Sequence, residues 1–137
     1  MYKKIMVPVD LGHTEALGKA VATAADLSKV YSAPVQMVAV TSTAPTAVAH
    51  NPAEFARKLE DYAAAASARY GVAFTADALT SPDPAADLDD TLGREAHAIG
   101  ADLIVMASRV PGLAEHLFAS RAGYLASHSD ISVFVVR

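Results

Sequence analysis

Residues 107–121, ASRVPGLAEHLFASR, set two serines and two arginines around a Pro/Gly turn. Hydroxyls, backbone N–H groups and guanidinium forks are the donors that suit phosphate oxygens, so Ser108, Arg109, Ser120 and Arg121 form a candidate anion site. A helix that starts just after the turn aims its own amides at the same place. Phosphate loops use glycine to reach positive φ and to let the backbone approach the anion. Alanine at a left-handed position costs about 1 to 2 kcal/mol, and a valine there is an outlier. Val110 also precedes Pro111, which drives it to extended geometry, so Gly112 is the residue suited to positive φ. Asp10 ends the apolar run KKIMVPVD, where a carboxylate can cap the helix that follows.

These groups need elements to hold them. The run ending at Asp10 reads as a strand, and Glu15 to Val30 places Leu17, Ala20, Val21, Ala24, Leu27 and Ser28 at helical spacing. APVQMVAV (33–40) is a second strand, with Pro34 near its start. Residues 41–50 form a loop of about ten residues, longer than the usual connection of roughly 4 to 6. Asn51-Pro52 is a helix start, the alanine-rich stretch to Arg69 propagates it, and Gly71 stops it. VAFTADAL (72–79) alternates in part, as a half-buried edge strand does, and SPDP breaks it. A third helix runs from about Ala85 to Ile99 with Leu88, Leu92, Ala96 and Ile99 on one face, closed by Gly100. ADLIVMAS (101–108) is a continuous apolar strand, Leu113 to Leu125 carry a fourth helical pattern, and ISVFVV (131–136) is the last strand.

Strands alternating with helices require a parallel sheet with right-handed crossovers and helices on both faces. Such sheets bind ligands outside the carboxyl ends of their strands, where strand order reverses. If the first and fourth strands flank that point, Pro8, Val9 and Asp10 face Met106, Ala107, Ser108 and Arg109 across one crevice.

Composition bounds the function. The chain has 137 residues, 53% hydrophobic and 19% charged, which fits one domain spanning 1–137 with a sizeable core. A net charge of −4 and the lack of a basic run argue against nucleic acid as a partner. The chain has no cysteine, so thiolate metal sites and thiol catalysis are excluded. The N-terminal apolar run is too short for a signal-peptide core and Val30 to Ala53 is interrupted by prolines and polar residues, so a cytoplasmic location without membrane partners is expected. The five histidines (His13, His50, His97, His116, His128) lack metal-ligand spacing, and no nucleophile–base pairing stands out, so no enzyme is expected.

YKKIMVPVD, GADLIVMASR and the closing SRAGYLASHSDISVFVVR together resemble the universal stress protein family over essentially the whole chain. The ending is the most specific part: Ser120, Tyr124, His128, then VFVVR, with Asp130 and Ser132 where the family often has prolines. The resemblance implies a flavodoxin-like, adenine-nucleotide α-hydrolase-like open sheet of order 3-2-1-4-5. It also implies a homodimer through strand 131–136, unidentified protein partners and, in one branch, ATP in the crevice, alone or with Mg2+, with at most slow hydrolysis. By the same resemblance Asp10 faces the nucleoside, and Val40 is the adenine-pocket valine. The family's ATP motif is Gly, two residues, Gly, nine residues, then Gly followed by Ser or Thr. Here those positions are Ala107, Val110 and Ala119-Ser120, with the second spacing one residue shorter. The ASRVP loop is similar to a short-loop ATP-binding subgroup that carries a proline. The expected function is a dimeric, ATP-binding regulatory module of the stress response. The alternative is a nucleotide-free interaction protein of the same family with a degenerate phosphate loop.

Overall fold

Apolar runs too short for helices and too continuous for exposed strands must be buried on both faces, and the chain does this with five parallel strands. The computed structural model describes residues 1–108 and 115–137, with side chains in the last helix from Arg121 onward. The expected turn, with Arg109, Val110 and Gly112, lies outside the described residues, as do the side chains of Ala119 and Ser120. Strands β1 (Ile5–Pro8), β2 (Val35–Thr41), β3 (Phe74–Thr80), β4 (Leu103–Ala107) and β5 (Ser132–Val136) alternate with helices α1 (Gly18–Tyr31), α2 (Pro52–Tyr70), α3 (Pro84–Ala98) and α4 (Glu115–His128). All pairings are parallel, in the order β3-β2-β1-β4-β5. This is the flavodoxin-like arrangement expected.

Side-chain alternation along the strands divides the core into two. Ile5, Val7, Val35 and Met37 pack with Ala20, Val21, Ala24, Leu59 and Ala63 of α1 and α2. Met6, Val38, Ile104 and Met106 point the other way, onto Leu92, Ala96, Ala122 and Leu125 of α3 and α4. Each fully buried Leu, Ile, Val or Met contributes about 1.5 to 3 kcal/mol of transfer free energy, so the two layers together drive folding. Below the sheet, Asp102 accepts the backbone N–H groups of Lys3 at 2.9 and 3.1 Å and of Lys4 at 3.1 Å, which clasps the start of β1 to the start of β4.

The helix punctuation is chemical. The Asn51 side chain accepts from Glu54 N, Pro52 opens α2 and Gly71 ends it at φ +69°. Asp83 caps α3 through Ala86 N, and Gly100 turns away at φ +73°. Two boundaries depart from the sequence reading. The first helix does not start at Glu15: Asp10 accepts from Gly12 N, which winds Leu11–Ala16 into a 3-10 turn before α1 begins at Gly18. Its end is set by Ser32 in the left-handed region (φ 53°), a conformation that glycine favours and the residue type did not announce.

β5 is apolar on both faces but covered on only part of its surface. Val136 is buried, whereas Phe134 and Val135 remain 45% and 40% exposed at the sheet edge. β3, at the opposite edge, is half-buried as its alternation indicates.

Candidate functional site

Chain direction creates the crevice. From the carboxyl end of β1 the backbone turns toward the α1 face, whereas β4 is followed in the chain by α4, on the α3 face. A cavity of about 530 Å³ opens between them, within the size range of ligand pockets. Its first wall is the β1 end, Pro8 to Gly12, with Val9 buried and Asp10 at the rim. Met106 and Ala107 of β4 form the facing wall, Val38 and Val40 of β2 the back, and Arg121 reaches in from α4.

Seven of the residues expected at the site therefore share one cavity: Pro8, Val9, Asp10, Val40, Met106, Ala107 and Arg121. Ser108 is not among the lining residues. Its amide donates to Val136 O at 2.8 Å, continuing the β4–β5 ladder, and its Oγ is a buried hydroxyl without a hydrogen-bond partner among the described residues. Ala107 stands at a family glycine position yet ends β4 in regular pairing with Val136, and Ser32 is the one described non-glycine at positive φ. Alanine at position 107 therefore carries no left-handed strain. The other two glycine positions, Val110 and Ala119, lie respectively outside the described residues and within α4.

Two walls were not named from sequence. The β2–α2 loop contributes Ser42, Thr46 and Val48, and the start of α3 contributes Asp83, Pro84 and Leu88. The signals were present: a loop longer than ordinary connections, and the SPDP break that ends at an N-cap. The loop is fastened from within and from α2. Thr46 Oγ1 accepts from the amides of Val48 and Ala49 at 3.2 Å each, and Thr46 N donates to Ala49 O at 2.8 Å. Lys58 Nζ donates to Val48 O and lies 3.4 Å from Glu54 Oε1. Glu54 in turn accepts the His50 amide at 2.9 Å, and this bond with the His50 ring holds its carboxyl down at about 2.

The lining is mostly apolar, with Val38, Val40, Val48, Phe55, Leu88 and Leu92 around a few polar groups. Such a surface suits a flat, weakly polar ring. Polar groups come from Asp10 after β1, Ser42 and Thr46 after β2, Asp83 before α3 and Arg121 on α4. Asp10 Oδ1 accepts from Gly12 N at 2.9 Å and Oδ2 meets His13 Nδ1 at 3.0 Å, so the cap role proposed as its alternative is real. Each carboxylate oxygen has a second lone pair for a hydroxyl. Arg121 Nε lies 3.3 Å from Asp89 Oδ1, which places a guanidinium beside the cavity. Among the described residues no group of three or more histidine or acidic side chains is placed to hold a metal ion, and no helix is long and apolar enough to cross a membrane.

Comparison with known proteins covers the whole chain. The model of the universal stress protein family matches residues 1–137. A universal stress protein family structure from Burkholderia pseudomallei is 27% identical with a TM-score of 0.69, covering 98% of this chain and 96% of that one. The universal stress protein from Archaeoglobus fulgidus in complex with dAMP is 19% identical, with a TM-score of 0.67 and coverage of 99% and 98%. A family protein from Arabidopsis thaliana with AMP bound is 16% identical, with a TM-score of 0.64 and coverage of 98% and 90%. No curated protein sequence matches the chain significantly.

Proposed function

Because the chain belongs to the universal stress protein family, we propose that it is a regulatory module that binds ATP in the crevice between β1 and β4 and assembles as a homodimer through β5. The observation that carries the first part is the cavity itself, about 530 Å³ at the sheet's switch point. Its composition fits a nucleoside: apolar walls from Val38, Val40 and Leu88 for the base, and Asp10 at the rim for sugar hydroxyls. The phosphate end fits as well. Arg121 borders the cavity, and the Ser108 hydroxyl, next in the chain to the lining residue Ala107, is buried without a hydrogen-bond partner among the described residues. Relatives of the same fold, solved with dAMP and with AMP, support an adenine nucleotide as the class of ligand. ATP is the member we favour, with Mg2+ as an optional companion held by the phosphates themselves.

The role is sensing rather than turnover. Both carboxylates that line the cavity serve backbone turns: Asp10 bonds Gly12 N and the His13 ring, and Asp83 caps α3 through Ala86 N. Dimerisation is supported by the uncovered Phe134 and Val135 on an edge strand, which a second copy of β5 would bury while satisfying the unpaired backbone groups. A cytoplasmic setting accords with the absence of cysteine.

The test is the nucleotide content of protein purified without added ligand, followed by calorimetric titration of stripped protein with ATP, with and without magnesium. Co-purifying nucleotide or micromolar binding supports the reading. No heat at millimolar ATP would leave the nucleotide-free interaction protein, for which the substitutions at family glycine positions 107, 110 and 119 already speak.

A further inference from the structure

The cavity extends beyond the switch point, from the ends of β4 and β1 past the end of β2 to the start of α3, where Asp83 is part of its lining. That end is braced. The Ser81 amide donates to Thr41 O at 2.9 Å, which ties the exit of β3 to the exit of β2, and the buried Ser81 hydroxyl donates to Asp87 Oδ2 at 3.1 Å. Asp83 O accepts from Asp87 N at 3.0 Å, and Asp83 Oδ1 accepts from Ala86 N at 3.3 Å. The cap uses one carboxylate oxygen, and Oδ2 has no hydrogen-bond partner among the described residues. Thr41, Ser42 and Thr46 also line the cavity, but a hydroxyl both donates and accepts and so takes either kind of partner. A carboxylate only accepts, which makes Asp83 the group at this end able to discriminate.

We infer that Asp83 selects the base of the nucleotide: its uncommitted carboxylate oxygen accepts from the exocyclic amino group of an amino purine and disfavours a purine with a keto oxygen at the same ring position. The inference rests on the nucleotide reading of the cavity and goes beyond it by naming the residue and the chemical group that decide which base is held. Asp10 follows β1 and Asp83 follows β3, two strands away, a lateral separation of about 10 Å at the usual strand spacing. A nucleoside with its sugar hydroxyls at Asp10 spans such a distance to the far edge of its base, and Val38 and Val40 of β2, the strand between, supply apolar wall for the ring. The edge that reaches Asp83 is then the one on which amino and keto purines differ. A donor there gains a charge-assisted hydrogen bond, whereas an acceptor loses solvation and gains no bond.

The experiment is a calorimetric comparison of three triphosphates on stripped wild-type protein, Asp83→Asn and Asp83→Ser. The ligands are ATP, inosine triphosphate, which has a keto oxygen in place of the amino group, and purine riboside triphosphate, which has neither. Wild type should bind ATP about tenfold more tightly than purine riboside triphosphate, the size of one charge-assisted hydrogen bond, and inosine triphosphate no better than the latter. Asp83→Asn keeps an oxygen for Ala86 N and sets an amide N–H2 where Oδ2 stood, so Tm should stay near the wild-type value while the preference turns toward inosine triphosphate. Asp83→Ser keeps a capping oxygen and removes the second one, so ATP should fall to the level of purine riboside triphosphate. It also serves as the test if Asp83→Asn does not fold.

Unchanged preferences in Asp83→Asn and Asp83→Ser would overturn the inference, and so would equal losses for all three ligands, which mark a role in capping α3 alone. Wild type that binds ATP no better than purine riboside triphosphate or inosine triphosphate would overturn it while leaving the nucleotide site standing. Wild type that binds none of the three would overturn the nucleotide reading, and the inference with it.

Discussion

Asp10 Oδ2 lies 3.0 Å from His13 Nδ1 while its other oxygen caps Gly12, so one carboxylate shapes the turn after β1 and edges the cavity. The two roles separate by substitution. Asp10→Ala removes the cap and should cost about 1 kcal/mol, a fall in Tm of roughly 3 °C, together with a loss of nucleotide affinity of at least about tenfold. Asp10→Asn keeps an oxygen for Gly12 and should restore most of the Tm but not the affinity. Thermal melts and calorimetry on the same preparations check both; equal recovery of the two would mean that Asp10 serves the ligand only through the turn.

β5 offers a test that leaves the fold intact. Phe134 and Val135 are exposed, so Phe134→Lys should change monomer stability by no more than about 0.5 kcal/mol. It should nevertheless turn the proposed dimer into a monomer in sedimentation, because it sets a charge on the apolar edge strand that the dimer would bury. Wild type that sediments as a monomer at micromolar concentration would refute the dimer.

The seam between α3 and the sheet should respond to pH. Glu95 on α3 hydrogen-bonds Asp77 on β3, and that bond, with partial burial and the neighbouring negative charge, raises its carboxyl to about 7. Gln36 Nε2 supports Asp77 from β2 at 3.3 Å. A carboxyl with a raised folded-state value holds its proton more tightly in the native chain. Its contribution is present below the ordinary carboxylate range and is eroded as pH rises through about 7. Glu95→Gln should flatten that slope and exceed wild type at about pH 8, by on the order of 1 kcal/mol after solvent screening. Melting curves across this range decide it; parallel profiles for the two proteins would refute the shared proton.

Lys58 fastens a cavity wall without belonging to the crevice cavity. Replacing it, as Lys58→Met, deletes its bond to Val48 O and its pairing with Glu54. Amide exchange at Val48 and Ala49 should accelerate, and nucleotide affinity should fall by about three- to tenfold, the worth of one modest hydrogen bond, with global Tm nearly unchanged. Unaltered exchange would show that Thr46 alone holds the loop.

Much of this architecture was legible because its signals are local. Asn51-Pro52, Gly71 and Gly100 act within a turn of their own positions, and the apolar runs at 5–9 and 103–107 admit no role but buried strands. The first and fourth strand ends could be matched because parallel-sheet topology limits where a crevice forms. The remaining walls depended on distant juxtaposition. Nothing in the local pattern of Val48 or Leu88 says that a loop and a helix start converge on the same volume. Nor does spacing couple Asp89 to Arg121, which lie on different helices. The Ser32 turn was missed for another reason: serine reaches positive φ only when the surrounding packing imposes it.

The clasp of Asp102 on the Lys3 and Lys4 amides joins positions 99 and 98 residues apart in a chain of 137. β1, the middle strand of the sheet, is synthesised early, yet its second neighbour β4 follows only after three helices and two strands have been made. Closing so long a loop costs entropy before any contact repays it, which places this chain among the slower folders for its size. During synthesis the hydrophobic edge of β1 must wait unpaired, exposed to other nascent chains, until residues 102 to 104 arrive to cover it.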